Sequence, residues 1–561
     1  MTRSLPSWSP RWISALAALG LFVALATFGH RYHWVEEAGT AERDGFVTKA
    51  EELLDGRVPR DPFRPLLYPS MTAGLAKLGL PPFIAARLIS NASAVALVLL
   101  AWAFGRRLDR ASSDTPPGGL GPWAAAATAV NPNLWILGQH VTTDMLFAAL
   151  AGSALLAGLA YLQRPRLSTA LLGGLLYGAA TFTRGNAMFL LPALVAAGVL
   201  AWLRPVRARE ASPEEEPARP RWIRPGLHAL LAAGGAALVL VPHWALRAAA
   251  FGDPFRDENW KNLAWKLYGY PDWSYLDRVP FTGLWGVVTA DPLAVLRGGV
   301  SELVRFFWGD GLGGGLSQLL GTPLHALLFV VGALAALRVR PRVAGWLLFA
   351  AATFLGALAF AFFAWGRLLL ALLPIANALA FAAVAGEPGV RLRGWVAGWT
   401  DRRSSPGALR ALRALATLTA AGLVALLAVK TFAFRLPAFV ERHPYDEIAV
   451  LRELEERDRD PGLVLAGTSP FLGRYLDRPY LALPDAFGEE LEHPQRWFDR
   501  VRPELERAGV RFVVVGAGDL RDRPRSLLGD TPPVDWLEPV DGPEPVARAR
   551  EEEVAVWKVS L

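Results

Sequence analysis

The chain contains no cysteine among its 561 residues. This absence excludes a disulfide framework, a thiolate metal site and a thiol nucleophile. Charge is also sparse, because Asp, Glu, Lys and Arg make up 19% of the chain while hydrophobic residues make up 53%. A soluble globular protein has about 45–50% apolar residues, and the excess here is concentrated in long runs. The composition therefore predicts a polytopic membrane protein.

The N-terminal region lacks the small-residue cleavage site that would follow a signal peptide. Arg3 and Arg11 precede the first apolar run, and this run is expected to remain as an uncleaved membrane helix. The net charge of +7 does not indicate nucleic acid as a partner. Most basic residues lie in short loops between apolar runs, where they act as topology signals.

Eleven apolar runs have about the 17–25 residues that a helix needs to cross the hydrocarbon core of a bilayer. They are residues 12–29, 82–104, 121–138, 142–162, 167–183, 186–203, 223–249, 322–338, 343–362, 366–385 and 409–432. The run at 66–79 is too short to span and is expected to enter the bilayer only partly. The predicted fold class is mainly α, a polytopic transmembrane helix bundle of about 11 spans.

Arginine is concentrated in alternate loops between these runs. The loops hold Arg106, Arg107, Arg110, Arg164, Arg166, Arg204, Arg207, Arg209, Arg219, Arg221, Arg224, Arg338, Arg340, Arg342, Arg391, Arg393, Arg402 and Arg403. Cytoplasmic loops carry the excess of basic residues in membrane proteins, so the N-terminus is expected in the cytoplasm. The sequence predicts a multi-pass membrane domain at 1–434 and an outer domain at 435–561.

Two outer loops are long, at 30–81 and 250–321. The second contains an amphipathic segment that is expected to lie as a helix on the outer surface, with an apolar face of Leu293, Leu296, Val300, Leu303, Val304 and Phe307.

The tail has a charged helical segment, YDEIAVLRELEER, and the strand-like segments GLVLAG, PYLAL, RFVVVG and EVAVWKV, which predict a small soluble α/β domain. The sequence GAGD at 516–519 is interpreted as a turn and not as a phosphate loop.

The first outer loop concentrates acidic residues just outside the first membrane helix, at Glu36, Glu37, Glu42 and Asp44. A short amphipathic helix follows and ends at Gly56, with one apolar face formed by Phe46, Val47, Ala50, Leu53 and Leu54. Asp44 is a candidate catalytic acid at the water–lipid boundary, and it is equally a candidate N-cap of this helix. The sequence leaves both roles open.

Several loose motifs occur in the order found in one superfamily of membrane enzymes. They are AEELLDG with RPLLYP, AARLIS, NPNLWILGQHVTTDMLF, TFTRGNAMFLLP, PHWALRAAAFGDPF, WGRLLLALLPIANALA, and SPFLGRYLDRPYLALP with AGVRFVVV. Over most of residues 10–515 the chain resembles the glycosyltransferase C superfamily. The likeness is closest to its bacterial family 39-like members, of the protein O-mannosyltransferase and aminoarabinose transferase type.

The resemblance implies an inverting transfer of a sugar from a polyprenyl-phosphate donor to an acceptor hydroxyl. The acceptor would be a lipid, a glycan or a protein on the periplasmic side of a bacterial inner membrane. One carboxylate would take the acceptor proton. The family's acid usually stands eight residues before the helix alanine, which here gives Glu42, whereas Asp44 adjoins the helix and no Asp-Glu pair is present. Both residues are therefore candidate bases.

The resemblance places the binding of the donor phosphate and other substrate groups near the outer membrane boundary. The candidate residues are Asp144, Arg184, Arg367, Arg247, Lys261 and Tyr68. Cations would hold the leaving phosphate, although a boundary arginine is also a common membrane anchor. His33 and His140 lie near the same boundary without the spacing of a metal motif. The metal requirement is left unknown, with a divalent cation as an open option.

Two other classes of function compete with this interpretation. A transporter or flippase would have broken helices and charged residues in matching halves near the midplane, and the sequence shows no internal repeat. A non-catalytic membrane scaffold that presents the 435–561 domain would leave the acid-rich first loop without a role.

Overall fold

The computed structural model describes residues 10–31, 45–61, 63–109, 119–203, 223–268, 281, 283–309, 314–364, 366–389, 406–437, 464–467, 480–483, 486, 490, 493–516, 524–528, 531–540 and 554–560. Contacts divide the chain into two compact units. The first comprises Met1–Phe28, Phe46–Asn259 and Asp291–Pro437, and the second comprises Gly29–Gly45, Trp260–Ala290 and Ala438–Leu561. The predicted division at residues 434 and 435 stays a prediction.

The described α-helices follow in chain order. They are α1 (Pro10–Arg31), α2 (Phe46–Leu54), α3 (Leu67–Ala76), α4 (Pro82–Leu108), α5 (Leu120–Ala129), α6 (Pro132–Gln139), α7 (Thr143–Gln163), α8 (Leu167–Thr183), α9 (Leu191–Trp202), α10 (Ile223–Phe251), α11 (Trp260–Tyr268), α12 (Leu284–Ala290), α13 (Pro292–Trp308), α14 (Gly314–Leu320), α15 (Pro323–Val339), α16 (Pro341–Ala361), α17 (Leu373–Phe381), α18 (Pro406–Val429) and α19 (Pro494–Ala508). A 3₁₀ helix (Gly185–Leu190) precedes α9, another (Gly366–Leu372) precedes α17, and a π-helix (Lys430–Arg435) continues α18.

Many of these helices are membrane-spanning candidates. Within the described residues, seven are long and apolar enough to cross a membrane: Pro82–Leu108, Thr143–Gln163, Gly185–Trp202, Pro225–Phe251, Pro341–Ala361, Gly366–Gly389 and Ala414–Arg435. Three shorter apolar helices are Leu16–Gly29, Leu167–Thr183 and Pro323–Val339. The predicted fold class, a mainly α polytopic bundle, is confirmed, while the count of eleven spans stays a prediction.

The apolar run at 121–138 is interrupted and does not form one continuous helix. α5 ends before Asn131, and α6 begins at Pro132, which has no N–H to donate into a continuing helix. The Asn131 side chain accepts the backbone N–H of Asn133 at 2.9 Å and donates to the Leu319 carbonyl at 3.0 Å. The Asn131 side chain thus satisfies one backbone N–H at the break and also joins the break to α14, and such internal pairing is what the interior of a membrane protein requires.

Helix α7 forms the centre of the first unit, because 16 of its 21 residues are buried. Its small residues let neighbouring helices approach closely. A Cβ placed on Gly152 would lie 2.9 Å from Leu100, and one on Gly158 would lie 3.0 Å from Leu194. At a rise of about 1.5 Å per residue the helix is about 30 Å long. Its two ends therefore lie on opposite sides of the bundle.

Helix α2 has the amphipathic arrangement that its spacing predicts. Phe46, Val47 and Ala50 are buried, and the Phe46 ring meets Tyr68 edge-on at 5.5 Å between centroids. Gly56 follows the helix with a φ of +78°, a left-handed conformation that strongly favours glycine. The helix is therefore fixed to the bundle by its apolar face.

Helix α13 leaves most of its predicted apolar face uncovered by protein. Leu293, Leu296, Val300, Val304 and Phe307 are all exposed. The opposite side, with Gly299, Glu302 and Phe306, is buried. An apolar stripe outside the protein is the arrangement of a helix that lies in the membrane interface, which agrees with the prediction for this segment.

The second unit contains a small mixed sheet. Its strands are β1 (Val464–Gly467), β2 (Tyr480–Ala482), β3 (Val510–Gly516), β4 (Leu537–Pro539) and β5 (Val554–Val559), in the spatial order β2-β1-β3-β5-β4. β2, β1 and β3 run parallel, and β5 pairs antiparallel with β3 and with β4. Helix α19 contributes Trp497, Phe498, Val501 and Leu505 to the buried core of this unit. Four of the five strands coincide with the predicted strand segments; β4 was not predicted, and the predicted helix YDEIAVLRELEER lies outside the described residues.

Candidate functional site

Asp144 lies in the first turn of α7 and is only 2% exposed. One carboxylate oxygen accepts a hydrogen bond from Arg184 Nη1, and the other accepts one from Thr142 Oγ1 at 3.0 Å. A buried carboxylate is strongly destabilising unless it is paired and hydrogen-bonded. Both oxygens are already engaged, so the geometry suits Asp144 for orienting its partners better than for accepting a substrate proton.

Two arginines interact with the Asp144 carboxylate, Arg184 through a hydrogen-bonded ion pair and Arg367 electrostatically. Arg184 is the extended residue between α8 and the 3₁₀ helix Gly185–Leu190, and its side chain is 22% exposed. Arg367, in the second 3₁₀ helix, interacts electrostatically with the same carboxylate. We call Asp144, Arg184, Arg367 and Thr142 the Asp144 cluster. Two guanidinium groups against one carboxylate leave an excess of positive charge, which suits a phosphate group.

Asp61 is a second buried acid, and it is one that the sequence analysis did not single out. Its carboxylate accepts hydrogen bonds from Lys49 Nζ at 2.7 Å and from the backbone N–H groups of Phe63 and Arg64 at 2.8 and 2.9 Å. Burial raises the pKa of Asp61, but the Lys49 and Arg64 cations and these hydrogen bonds outweigh it, so the pKa lies below its ordinary value. An Asp followed by Pro62 is a turn signal from which this arrangement could have been predicted.

The stability of the first outer loop should depend on pH through Asp61. Because the folded pKa lies below the ordinary value of 3.8, the ion pair contributes fully above that value. Its contribution is lost as the pH falls through the folded pKa. Asp61→Asn keeps a turn acceptor and removes the charge, so we expect a loss of about 1.5–3 kcal/mol at neutral pH. Thermal unfolding of the detergent-solubilised protein measures the stability difference between Asp61→Asn and the unmodified protein, and this difference should be smaller in acid than at neutral pH. An equal difference in acid and at neutral pH would contradict the role of the ion pair.

Arg247 is buried near the C-terminal end of α10, and its guanidinium donates to the Arg256 carbonyl. Four carboxylates interact with it electrostatically: Asp257, Asp61, Asp253 and Glu258. This negative surrounding disfavours a phosphate at the same place. The described contacts favour a scaffold role for Arg247, and its predicted role in donor binding stays a prediction.

The turn at 252–259 connects the Asp144 cluster to the first outer loop. Asn259 Nδ2 donates to the Phe63 carbonyl at 3.1 Å. A Cβ placed on Gly185, the residue after Arg184, would lie 3.4 Å from the same amide nitrogen. Close contacts therefore run from the Asp144 cluster through this turn to the loop that Asp61 fastens to α2.

Tyr68 is completely buried, which leaves no side-chain surface for a bound donor to contact. Its hydroxyl donates to the Ala86 carbonyl at 2.7 Å and lies 3.0 Å from Ser90 Oγ. Ser90 Oγ in turn donates to the His140 carbonyl at 2.8 Å. These bonds join α3, α4 and the turn before α7, so the position of Tyr68 supports a positioning role more than the predicted contact with substrate.

Tyr68→Phe should separate these two roles. The change leaves the buried Ala86 carbonyl without its donor, so we expect a loss of about 1–3 kcal/mol in unfolding free energy. Affinity for a polyprenyl phosphate should stay within a few fold of the unmodified protein, since the ring still packs on Phe46. Thermal unfolding and lipid-binding measurements on the same sample test this. Lost affinity with unchanged stability would instead support direct contact.

The remaining predicted residues are placed as follows. Asp44 and Glu42 lie outside the described residues, and the residue that flanks the start of α2 is Gly45, with a φ of +64°. Lys261 is in α11 of the second unit, 7% exposed, with Nζ 5.9 Å from the ring centroid of Trp260. Among the residues that the structure describes, no group of three or more His, Asp or Glu side chains could hold a metal ion.

Solved structures of similar fold were found among membrane glycosyltransferases. The chain matches the archaeal oligosaccharyltransferase AglB from Archaeoglobus fulgidus in complex with an inhibitory peptide and a dolichol-phosphate, with a TM-score of 0.50 and 12% identity over 90% of this chain and 70% of that one. It also matches ArnT from Cupriavidus metallidurans in the apo state, with a TM-score of 0.51 and 16% identity over 97% of this chain and 98% of that one. No protein-family model and no curated protein sequence matches the chain.

The likeness at these identities concerns the fold. AglB and ArnT are glycosyltransferase C superfamily proteins, so the resemblance predicted from the sequence motifs is confirmed at the level of the fold. The chain is a polytopic helical protein of this architecture, with a cluster of one buried acid and two arginines at one end of its central helix.

Proposed function

We propose that the protein is a membrane glycosyltransferase that uses a polyprenyl-phosphate sugar donor. The observation that carries this proposal is the Asp144 cluster, in which the buried carboxylate at the N-terminal end of α7 forms an ion pair with Arg184 and interacts electrostatically with Arg367. The fold shared with AglB and ArnT supports it. In particular, AglB was solved with dolichol-phosphate, a lipid phosphate of the same chemical class.

In this proposal Arg184 and Arg367 bind the donor phosphate. An arginine keeps its charge at all physiological pH values and can form two parallel hydrogen bonds with phosphate oxygens. Asp144 orients both arginines and does not react. The phosphate gains negative charge as its bond to the sugar breaks, so fixed cations at this place stabilise the transition state more than the bound donor.

The reaction is an inverting displacement at the anomeric carbon. The acceptor hydroxyl attacks that carbon, the bond to the phosphate oxygen breaks, and the electron pair stays on the polyprenyl phosphate. The hydroxyl proton passes to a carboxylate of the first outer loop, Asp44 or Glu42, which acts as general base. The transition state is oxocarbenium-like, as in glycoside hydrolysis, so the protein must supply one base and a stabilised leaving group.

The assignment of this base to the first outer loop rests on the resemblance in sequence. In the sequence, Asp44 and Glu42 lie two and four residues before the first residue of α2, whose Lys49 forms an ion pair with the buried Asp61. The contacts through the turn at 252–259 then lead to the Asp144 cluster. The acceptor is a hydroxyl of a lipid, a glycan or a protein at the outer face of a bacterial inner membrane.

Transfer from a panel of radiolabelled polyprenyl-phosphate sugars tests the proposal. Membranes from cells that overproduce the protein should move label from one donor into an acceptor fraction, and membranes with an Arg184→Gln variant should not. The product's anomeric configuration should be opposite to that of the donor. Movement of intact lipid-linked sugar across the bilayer without transfer would support the flippase alternative and overturn the proposal.

A further inference from the structure

A charged cavity lies at the opposite end of α7 from Asp144. It has a volume of about 710 Å³, and its lining includes one aspartate and six arginines, namely Arg106, Arg107, Arg164, Arg166, Arg340 and Arg342. These arginines come from the ends of α4, α7 and α15 and the residues that follow them. We call this cavity the arginine basin. The length of α7, about 30 Å, places the basin on the other side of the bundle from the Asp144 cluster.

The arginine basin is held together by hydrogen bonds between its loops. Arg107 Nη1 donates to Gln163 Oε1 at 2.7 Å, and Arg340 Nη1 donates to the Arg107 carbonyl at 2.7 Å. The Arg106 guanidinium stacks over the Trp102 ring at 4.8 Å. Several guanidinium groups are therefore fixed around one concave space, which differs from a set of independent topology signals on separate loops.

Among the described residues that line the basin, six arginines outnumber a single acid. That acid is Asp109, and its two oxygens accept backbone N–H groups, from Leu120 at 3.2 Å and from Glu387 at 2.9 Å. Arg107 and Arg164 also interact with each other as like charges. Like charges gathered in one cavity are destabilising unless an anion is present. The basin is therefore complementary to a phosphate-bearing ligand.

An apolar groove of about 700 Å³ adjoins the arginine basin, because Thr169 lines both cavities. The groove lies between α7, α8, α9 and α10, and 11 of its 22 lining residues are Ala or Gly. A Cβ placed on Gly198 would meet nothing within 4 Å, which shows open space at that point. The groove has room for a hydrocarbon chain.

Aromatic side chains mark one end of the groove, near the C-terminus of α7. Trp202 Nε1 donates to Tyr161 Oη at 3.0 Å, and the His228 ring packs edge-on against both at 5.5 Å. Tyr161 is adjacent in sequence to Ala160, which lines the arginine basin. Tyr and Trp prefer the headgroup level of a bilayer, so this cluster lies where a lipid's polar and apolar parts would meet.

We propose that the arginine basin and the apolar groove form one binding site for an anionic phospholipid. The phosphate headgroup lies among the arginines, and one acyl chain lies in the groove. Basic pockets between membrane helices are known to bind anionic headgroups, and here the groove adds a matching place for the chain. The site is separate from the proposed donor site, because it lies at the other end of α7.

Native mass spectrometry of the delipidated full-length protein with added lipids tests the headgroup part. Phosphatidylglycerol or cardiolipin should be retained at one copy per protein, and phosphatidylethanolamine should not. The double variant Arg164→Gln, Arg166→Gln should bind the anionic lipid about 30-fold more weakly. This estimate takes about 1 kcal/mol of binding free energy for each arginine near the membrane surface. Arg164→Lys with Arg166→Lys keeps the charge and should stay within a few fold. Equal retention of the zwitterionic lipid, or no effect of the Gln pair, would overturn the proposal.

The groove is tested by filling it. Gly198→Trp should weaken retention of the same phospholipid at least about 10-fold, which corresponds to about 1.4 kcal/mol. Gly422→Trp, at another helix glycine with nothing within 4 Å of its Cβ, should have no effect. Two competitors distinguish other ligands of the same chemistry. Displacement of the phospholipid by soluble pyrophosphate, with the groove intact, would reveal a site for free anions. Preferred binding of undecaprenyl phosphate would reveal a site for the donor lipid. Either result overturns the assignment to phospholipid.

Discussion

Replacing Asp44 by Asn should lower the rate of sugar transfer by about 10²–10⁴-fold, the usual contribution of a general base. The amide cannot take the acceptor proton, while its size and hydrogen-bonding oxygen are kept. Asn also caps a helix as well as Asp does, so a residue that only capped α2 would tolerate the change. Initial rates of transfer from the labelled donor, at equal amounts of inserted protein, measure the effect.

Glu42→Gln is the matched control for Asp44→Asn. The two acids are the alternative bases, so the inactive single variant identifies which of them reacts. The other variant should retain transfer within a few fold. If both single variants and the double variant keep near-normal rates, the base does not lie in this loop, and the role proposed for the loop is wrong.

Asp144→Asn should destabilise the protein by about 3–5 kcal/mol and abolish transfer. Removing one partner of a buried ion pair leaves the other charge without compensation, and here Arg184 and Arg367 would both lose the carboxylate with which they interact. Thermal unfolding measures the loss of stability, and donor-binding measurements show whether transfer is lost because the donor no longer binds. The loss of donor affinity should accompany the loss of stability, because the same contacts determine both.

A double-mutant cycle with Arg184→Gln tests whether the two residues act as a pair. The double variant should be less destabilised than the sum of the two single variants, since no uncompensated charge remains at that contact. Glu490→Gln is the control at a more exposed pair, in which Glu490 accepts from Arg500 Nε at 2.7 Å. Loss of the Glu490–Arg500 ion pair should lower the unfolding free energy by about 0.2–1 kcal/mol. Additive effects of Asp144→Asn and Arg184→Gln would contradict the proposed coupling.

Local features of the site could be predicted from the sequence to different degrees. The helix α2 and its left-handed end at Gly56 follow from apolar spacing and one glycine. Asp61 was missed, although its Asp-Pro pair is a turn signal, because a loop acid carries no mark of burial in the sequence. Tyr68 was expected to contact substrate because of its motif, but its motif could not reveal that the ring is enclosed beneath α4.

The sequence by itself determined where most of the chain is helical. A run of about 20 apolar residues must satisfy its backbone internally within lipid, and a helix does so without a partner. Local periodicity likewise located α13, whose exposed stripe matches its sequence pattern, and four strands of the second unit, because these patterns depend on residues close together in the chain.

Only the tertiary structure decided which distant residues meet. The pairing of Asp144 with Arg184, of Lys49 with Asp61 and of six arginines around one cavity depends on which helices pack together and at what depth. Charges and their spacing can be read from a sequence, but the packing of the helices cannot, because it results from close contacts such as those at the glycines of α7. The site and the arginine basin therefore emerge from the fold, while the elements that carry them follow from local hydrophobic patterns.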